Sequence, residues 1–243
     1  MRVTLNGYVA ADEDLPIYHF FKYPAFGPST VRQALEDCPA DEELVFEINS
    51  YGGSVFSGGE IYSVLRSSNR HTRAEIQSLA ASAASYLALG CTEVWISPVA
   101  QMMVHLPSTC TQGDRWDHLG TVRALDSTTE AILNAYELKS KGKKNRDELR
   151  QLMGRTEWLT AQDALDAGLA DGILYQEDVD PKTIVNAAGS GLRAVAGLCG
   201  MPDLETLRAE YQKQHDQAGD PAGNNTGWQK LANQRMAIEK IRF

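Results

Sequence analysis

Cysteines are few in this sequence and show no pairing pattern. The four cysteines stand at positions 38, 91, 110 and 199, without a Cys-x-x-Cys pair and without histidines at zinc-finger spacing. A disulfide-held scaffold needs a regular cysteine framework, and a structural zinc site needs closely spaced thiolate or imidazole ligands. We therefore expect free thiols and predict neither a disulfide framework nor a metal site.

Long apolar runs and a basic surface are missing as well. No stretch approaches the roughly 20 apolar residues that span a bilayer, and residues 1–12 lack the apolar centre of a signal peptide. The net charge of −9 disfavours nucleic acid as a partner, because a phosphate backbone is bound by basic surfaces. The sequence therefore predicts a cytoplasmic protein with no membrane or nucleic-acid partner.

What the sequence does contain is an alternation of strand-like and helix-like segments. A helix capped by Ser29 and ended by Pro39 is predicted between the first two strands, and another is predicted to follow Gly58 and Gly59. Such strand-helix-strand units indicate an α/β fold with parallel pairing and helices packed outside the sheet. The apolar strand-like runs are residues 2–9, 43–49, 75–79, 93–97 and 101–106.

The second half of the sequence is predicted to be mainly helical. Apolar residues recur at helical spacing over residues 115–141, which predicts a helix of roughly six turns or more. A shorter helix is predicted at 147–153, then a helix from Thr160 with Gly168 as its C-cap, and a closing strand at 169–175.

Composition changes past residue 180, where small and turn-forming residues become frequent. We therefore predict one domain at residues 1–180 and a linker and tail at residues 181–243. The tail contains amphipathic helical patterns at 202–217 and 228–241, but too little apolar surface for a core of its own. A flexible appendage and an assembly segment are both compatible with this pattern.

Three short motifs combine residues that are useful for catalysis. Gly52 and Gly53 follow the second strand-like run before a helix begins, where glycine lets the backbone approach a ligand, although a plain turn would look the same. Ser82 lies where the third run gives way to a helix, so its hydroxyl and the backbone amide of Ala83 can face one site. A simple N-cap or tight packing is the alternative for that serine.

His105 ends the fifth apolar run and is followed by Pro107. A lone histidine in such a place is usually a core residue bonded to backbone. The three motifs nevertheless come in order, each at the end of a strand, and carboxyl ends of parallel strands meet at one edge of a sheet. Ser82, His105 and Gly53 are therefore predicted to come together.

Taken together, the motifs resemble those of the Clp protease proteolytic subunit over roughly residues 2–175. An Ala-Ala-Ser-Ala-Ala-Ser stretch is most similar to the Clp-like head-maturation peptidases encoded by tailed phages and prophages. The matching blocks are Ile48-Asn49-Ser50 with Gly52-Gly53-Ser54, Ala80-Ala81-Ser82, Met103-Val104-His105 with Pro107, Trp158-Leu159-Thr160-Ala161, and Gly168-Leu169-Ala170-Asp171.

This resemblance implies a Clp protease/crotonase-type fold with a long handle helix and the activity of a serine endopeptidase. It assigns Ser82 as nucleophile, His105 as general base, and the amides of Gly53 and Ala83 as the oxyanion hole. No cofactor is implied. The implied partners are unfolded or assembly-related protein substrates, copies of the same chain in a ring, and either an AAA+ unfoldase or capsid and scaffold proteins.

Two positions depart from the family pattern. Tyr51 stands where the family has proline before the glycine pair, which affects how an extended substrate is seated. The position of the triad aspartate is occupied by Thr156, with Glu157 beside it. Thr156, Glu157 in a shifted register, and a dyad completed by water are the three alternatives for the third role. Without the acid, a loss of up to ~10⁴ in rate is expected.

Three other functions fit parts of the pattern. A serine/lysine enzyme of the signal-peptide-peptidase type would use Lys139 or Lys141 as base and leave His105 idle. An acyl-CoA enzyme of the crotonase fold would use paired amides to hold a thioester oxygen. A non-catalytic assembly protein that kept the fold is the third alternative, and Thr156 is its main support.

Overall fold

The computed structural model describes residues 1–175 and 203–217. Two compact units divide the chain, one of Met1–Pro107 with Thr129–Met201, the other of Ser108–Thr128 with Pro202–Phe243. Cys199, the predicted boundary near residue 180 and the helix predicted at 228–241 lie outside the described residues.

The described residues form strands and helices in alternation through most of the chain. The strands are β1 (Arg2–Val9), β2 (Ala25–Phe26), β3 (Leu44–Gly53), β4 (Thr72–Ala81), β5 (Glu93–Ile96), β6 (Gln101–Val104), β7 (Glu157–Thr160) and β8 (Gly172–Ile173). The helices are α1 (Leu15–Phe20), α2 (Pro28–Asp37), α3 (Val55–Ser67), α4 (Ala83–Ala88), α5 (Arg115–Ser140), α6 (Arg146–Gly154), α7 (Ala161–Asp166) and α8 (Leu204–Gln217).

One mostly parallel sheet organises the first unit. Its strands follow the order β2-β1-β3-β4-β5-β8, while β6 pairs with the end of β4 and with β7. Pairing is parallel throughout except between β6 and β7, which run antiparallel. The predicted α/β fold with parallel strand-helix-strand units is confirmed, and it is consistent with a Clp-protease-type fold.

Apolar residues from the strands and the first helices fill the core. Leu5, Phe46, Ile48 and Ile76 of the sheet have no exposed surface, and α4 is buried along its whole length. A helix that is apolar on all sides belongs in an interior. The turn that precedes α4 is therefore held in place by a helix that is packed in the core.

Two predicted helix starts are wrong. Gly27, not Ser29, is the N-cap of α2, because the Ser29 hydroxyl donates to Asp12 Oδ1 at 2.7 Å and Pro28 already occupies the first turn. Helix α3 begins at Val55, before Gly58 and Gly59, because the Ser54 side chain caps it by accepting from the amide of Ser57. The first error follows from a hydrogen bond to a distant residue that spacing does not reveal, and the second from a local cap at Ser54 that the glycines hid.

The helical second half is close to its prediction, whereas its strands are not. Asn145 and Glu148 form a capping box that starts α6, and Gly168 follows α7 with a φ of +75°, as expected for the residue after a helix end. The closing strand predicted at 169–175 shrinks to β8. The short strand β7 has no prediction because four residues carry too little pattern.

The part of α5 in the second unit begins with an aspartate cap. Asp114 Oδ1 accepts from the backbone amides of Trp116 and Asp117 at 2.7 and 3.1 Å.

Within residues 1–175 and 203–217, no helix combines the length and apolar character that a bilayer crossing would need. Cys38, Cys91 and Cys110 are free thiols, and burial raises the pKa of Cys91 to about 12.

Candidate active site

Three parallel strands deliver the candidate residues to one edge of the sheet. Gly53 is the last residue of β3, and Ser82 and His105 directly follow β4 and β6. The register aligns Ser50 with Ala80 and Ala81 with Met103. Because β4 lies between the other two strands at this end, Ser82 stands in the middle of the predicted site.

Ser82 occupies a sharp turn between β4 and α4. Its φ of 54° and ψ of −124° lie outside the regions that non-glycine residues ordinarily adopt. Its backbone amide donates to the carbonyl of Met103 at 2.9 Å, which ties the turn to β6. Although Ser82 is the N-cap of α4, its side chain makes no capping hydrogen bond, so the alternative of a simple N-cap serine does not describe it.

The hydroxyl of Ser82 instead faces His105. The distance from Ser82 Oγ to His105 Nε2 is 2.7 Å, within the range for a nucleophile and its base. Burial lowers the pKa of His105, and hydrogen bonding to the backbone at Leu106 partly opposes that shift. A lowered pKa keeps the imidazole neutral near pH 7, which is the form that accepts a proton.

The two glycines have different neighbours. A Cβ added to Gly53 would lie 2.2 Å from the carbonyl oxygen of Val9. A Cβ on Gly52 would lie 2.7 Å from Ser82 Cβ and 2.9 Å from the backbone nitrogen of Ala83. The end of β3, which carries the two glycines, thus packs directly on the turn at Ser82. Ala83 is the first residue of α4, a position where amides have no partner within the helix.

The candidates for the third triad position lie near the histidine in sequence register but do not bond to it. Strand β7 pairs Glu157 with Val104, so continuing the antiparallel register sets Thr156 opposite His105. Glu157 forms an ion pair with Arg155 at 3.4 Å. Thr156 is exposed and has a φ of 53°. In the described part of the chain, the side chains of Thr156 and Glu157 form no hydrogen bond with His105.

A small cleft opens beside the serine and histidine. Sequence reasoning missed most of the residues that line it. Tyr136 lies within the helical pattern predicted for residues 115–141, and Tyr86 lies in the helix predicted after Ser82, but nothing in either pattern marks a cleft residue. The lining residues are Val55, Ser82, Tyr86, His105, Pro107, Ile132 and Tyr136.

Ser85, one helical turn after Ser82, has a different environment. It has no exposed surface, and its hydroxyl lies 2.5 Å from the carbonyl oxygen of Ser82 and 2.6 Å from the hydroxyl of Tyr136. A serine in this position is enclosed by protein. Of the two serines in the motif, Ser82 is therefore the one that a substrate can reach.

Metal ligation has no support in the described residues. Across residues 1–175 and 203–217, histidine, cysteine and carboxylate side chains form no group of three that could hold a metal ion.

Lys139, the candidate base of the serine/lysine alternative, is paired with Asp171. Ser82 bonds to a histidine and not to a lysine.

Comparison with known proteins agrees with this geometry. A family model described as Clp protease matches residues 32–177, more than half of the chain. ATP-dependent Clp protease proteolytic subunit 1 of Chlamydia abortus is 31% identical over 138 residues, covering 55% of this chain and 71% of that protein. The corresponding subunit of Ligilactobacillus salivarius is 29% identical over 138 residues, covering 56% and 68%.

ATP-dependent Clp protease proteolytic subunit 1 of Chlamydia caviae is also 31% identical, over 141 residues that cover 56% of this chain and 73% of that protein. The residues 32–177 matched by the family model include Gly53, Ser82 and His105. The chain therefore belongs to the Clp protease family and is a serine-type endopeptidase.

Proposed function

We propose that Ser82 and His105 are the nucleophile and general base with which this chain hydrolyses peptide bonds. Ser82 Oγ attacks the peptide carbonyl carbon while His105 Nε2 takes its proton, and the imidazolium then protonates the leaving amine. Water repeats the sequence on the acyl-enzyme and releases the carboxylate. The observation that carries the proposal is the 2.7 Å separation of Ser82 Oγ and His105 Nε2.

The amides of Gly53 and Ala83 are proposed to hold the oxyanion. Ala83 supports this role because it follows the nucleophile at the start of a helix, where amides point away from the chain and carry positive potential. The close packing of Gly52 on the same turn brings the end of β3 beside it. Removing one oxyanion donor typically costs about 10² to 10³ in rate.

For the third role we propose that no carboxylate acts on His105. Glu157 is engaged by Arg155, and the hydrogen bond of the His105 ring in the described residues goes to Ser82. Without a carboxylate, no negative charge stabilises the imidazolium. The site is thus a Ser82/His105 dyad, slower than a complete triad.

The natural substrate and partners are proposed from family resemblance. Relatives are named as proteolytic subunits of an ATP-dependent protease, which supports an AAA+ unfoldase as partner of a ring of identical chains. The head-maturation resemblance of the Ala-Ala-Ser-Ala-Ala-Ser stretch supports capsid or scaffold precursors as substrates. An intact-mass time course with candidate capsid proteins would show new fragments, and unchanged masses would rule those substrates out.

Self-association is supported by apolar exposure on α5. Trp116 is 68% exposed and Val122 is 53% exposed on this helix, and apolar side chains that form a contiguous exposed patch mark interaction surfaces. Residues 1–180 are proposed as the peptidase domain and residues 181–243 as a linker and assembly tail. Light scattering should give a ring-sized mass, and a monomer at micromolar concentration would contradict the ring.

The catalytic assignment is tested by labelling with a fluorophosphonate, which reacts covalently with an activated serine. The wild-type chain should be labelled and should turn over a fluorogenic peptide, and Ser82→Ala should lose both activities while its unfolding temperature stays nearly constant. Ser54→Ala, at a capping serine outside the dyad, is the matched control and should still be labelled. Equal labelling of Ser82→Ala and wild type would refute the assignment.

A further inference from the structure

Ser85 donates two hydrogen bonds to the carbonyl oxygen of Ser82. The amide of Ser85 donates at 3.0 Å and its hydroxyl at 2.5 Å. The same hydroxyl lies 2.6 Å from the hydroxyl of Tyr136 on α5. Ser85 and Tyr136 are both buried, so water does not compete for these bonds.

The direction of this chain of bonds follows from its last acceptor. A carbonyl oxygen can only accept a hydrogen bond, so Ser85 donates its single hydroxyl hydrogen to the Ser82 carbonyl. Tyr136 must then donate to Ser85 Oγ. Burial raises the pKa of Tyr136, so the phenol keeps the proton that this donation needs. A hydroxyl that accepts a hydrogen bond is itself a stronger donor.

The carbonyl of Ser82 and the amide of Ala83 belong to one planar trans peptide. Their C=O and N–H bonds point in opposite directions, and the plane turns only as a whole. Holding the carbonyl against Ser85 therefore aims the Ala83 N–H to the other side, away from Ser85. Ser82 has a strained φ of 54°, and such a conformation persists only where its surroundings determine it.

We propose that Tyr136 and Ser85 are positioning residues that set the oxyanion-hole peptide between Ser82 and Ala83. Tyr136 acts through Ser85, and Ser85 acts on the Ser82 carbonyl. This inference rests on the proposed function, since it requires Ser82 as nucleophile and Ala83 as an oxyanion donor.

Two substitutions remove the links of the chain one at a time. Tyr136→Phe keeps the buried ring and deletes the donor, and it should lower kcat about 5- to 10-fold, the equivalent of one ordinary hydrogen bond, with KM unchanged. Ser85→Ala deletes both side-chain bonds and should lower kcat about 10- to 100-fold. The double variant should be no slower than Ser85→Ala alone, because the Tyr136 hydroxyl acts through Ser85 and phenylalanine keeps the ring that lines the cleft.

A tetrahedral inhibitor separates positioning from general damage. A peptide boronic acid adds to Ser82 Oγ and presents an oxygen to the oxyanion hole, as the transition state does. Its affinity for Tyr136→Phe should fall by the same factor as kcat. Tyr62→Phe, which deletes a phenol hydroxyl from α3 outside the cleft, is the matched control and should leave kcat, KM and boronate affinity unchanged.

Several results would overturn the inference. Equal kcat for Tyr136→Phe and Tyr62→Phe, unchanged boronate affinity in Tyr136→Phe, or independent effects in the double variant would each do so. If Ser85→Ala does not fold, the boronate comparison on Tyr136→Phe decides alone. A wild-type chain that is neither labelled nor active would refute the proposed function, whereas an active wild type labelled at Ser82 with a silent Tyr136→Phe would refute only this inference.

Discussion

Ser82 and Thr156 have nearly the same positive φ, but different hydrogen bonds hold the two residues. Ser82 has a φ of 54° and Thr156 a φ of 53°. Ser82 is held by the Met103 carbonyl and by two bonds from Ser85. Thr156 is exposed and its amide donates to Met153 at 3.1 Å, one bond at the end of a helix.

The comparison separates strain that is used from strain that merely turns the chain. At Ser82 several bonds from different elements fix the turn, so the strained conformation holds the hydroxyl against His105. At Thr156 a single local bond closes the link between α6 and β7. A positive φ alone therefore does not mark a catalytic position; the number and origin of the bonds that hold it do.

Disturbing the Ser82 side of the comparison should have the largest effect. Gly52→Ala would place a Cβ 2.6 Å from the Ala81 carbonyl oxygen and 2.7 Å from Ser82 Cβ, at a φ of +90°. The nucleophile turn must shift to relieve this contact, and a displacement of about 1 Å can cost about 100-fold in rate. Peptide turnover should fall by about that factor or more.

The matched control for this change is Gly59→Ala in α3, where an added Cβ meets nothing within 4 Å. It should leave turnover unchanged and raise stability by up to about 1 kcal/mol, because alanine favours a helix more than glycine does. Full activity in Gly52→Ala would mean that the turn tolerates displacement, and that its bonds do not fix the nucleophile.

Converting the Thr156 side into a functional one should have a smaller effect of opposite sign. Thr156→Asp sets a carboxylate opposite His105, where it can stabilise the imidazolium formed during catalysis. We expect a rise in kcat of roughly tenfold, below the ~10⁴ of a buried triad acid, because the position is exposed. Aspartate also tolerates a positive φ better than a β-branched threonine, so the unfolding temperature should not fall.

The neighbouring carboxylate provides the control for that gain. Glu157→Gln should leave turnover nearly unchanged, because Glu157 pairs with Arg155 and not with His105. If Glu157→Gln instead costs about 10² or more and Thr156→Asp is silent or harmful, Glu157 is the third member of the triad. Single-turnover measurements on a fluorogenic peptide distinguish the two patterns.

The smallest expected effect is a displacement of the acid limb of the pH profile. Burial lowers the pKa of His105 from its ordinary 6.5, so kcat/KM of the wild type should stay high below pH 6.5 and then fall. Thr156→Asp should move this limb to higher pH, since a nearby carboxylate favours the imidazolium. An acid limb at the same pH in both variants would show that residue 156 does not act on His105.

The same pKa has a consequence for folding. Because the folded chain binds the proton less readily than the unfolded chain, His105 favours unfolding as pH falls below 6.5 toward the lowered pKa. Its contribution disappears above 6.5, where both states are neutral. Chemical denaturation of the wild type and of His105→Gln, measured above pH 6.5 and again below it, gives this contribution. Parallel pH dependences of the two proteins would contradict it.

Motifs predicted the sheet edge better than they predicted its supports. The order of Gly53, Ser82 and His105 at strand ends was readable from apolar runs and from resemblance, because each run ends where polar or small residues begin. Ser85 and Tyr136 lie 51 positions apart, and no spacing rule connects a helix-start serine with a tyrosine in another helix. The Ser29 cap prediction is wrong for a related reason, since its hydrogen-bond partner Asp12 lies 17 positions earlier in the chain.

Strand β4 changes partners along its length. Its first half pairs with β5 at Arg73 to Ile76, and its last residues pair with β6 at Leu79 to Ala81. The strand that leads to His105 thus also accepts a hydrogen bond from the Ser82 amide, through the Met103 carbonyl. A chain in which β6 is displaced from β4 would therefore lose the proposed base and the anchor of the Ser82 amide together.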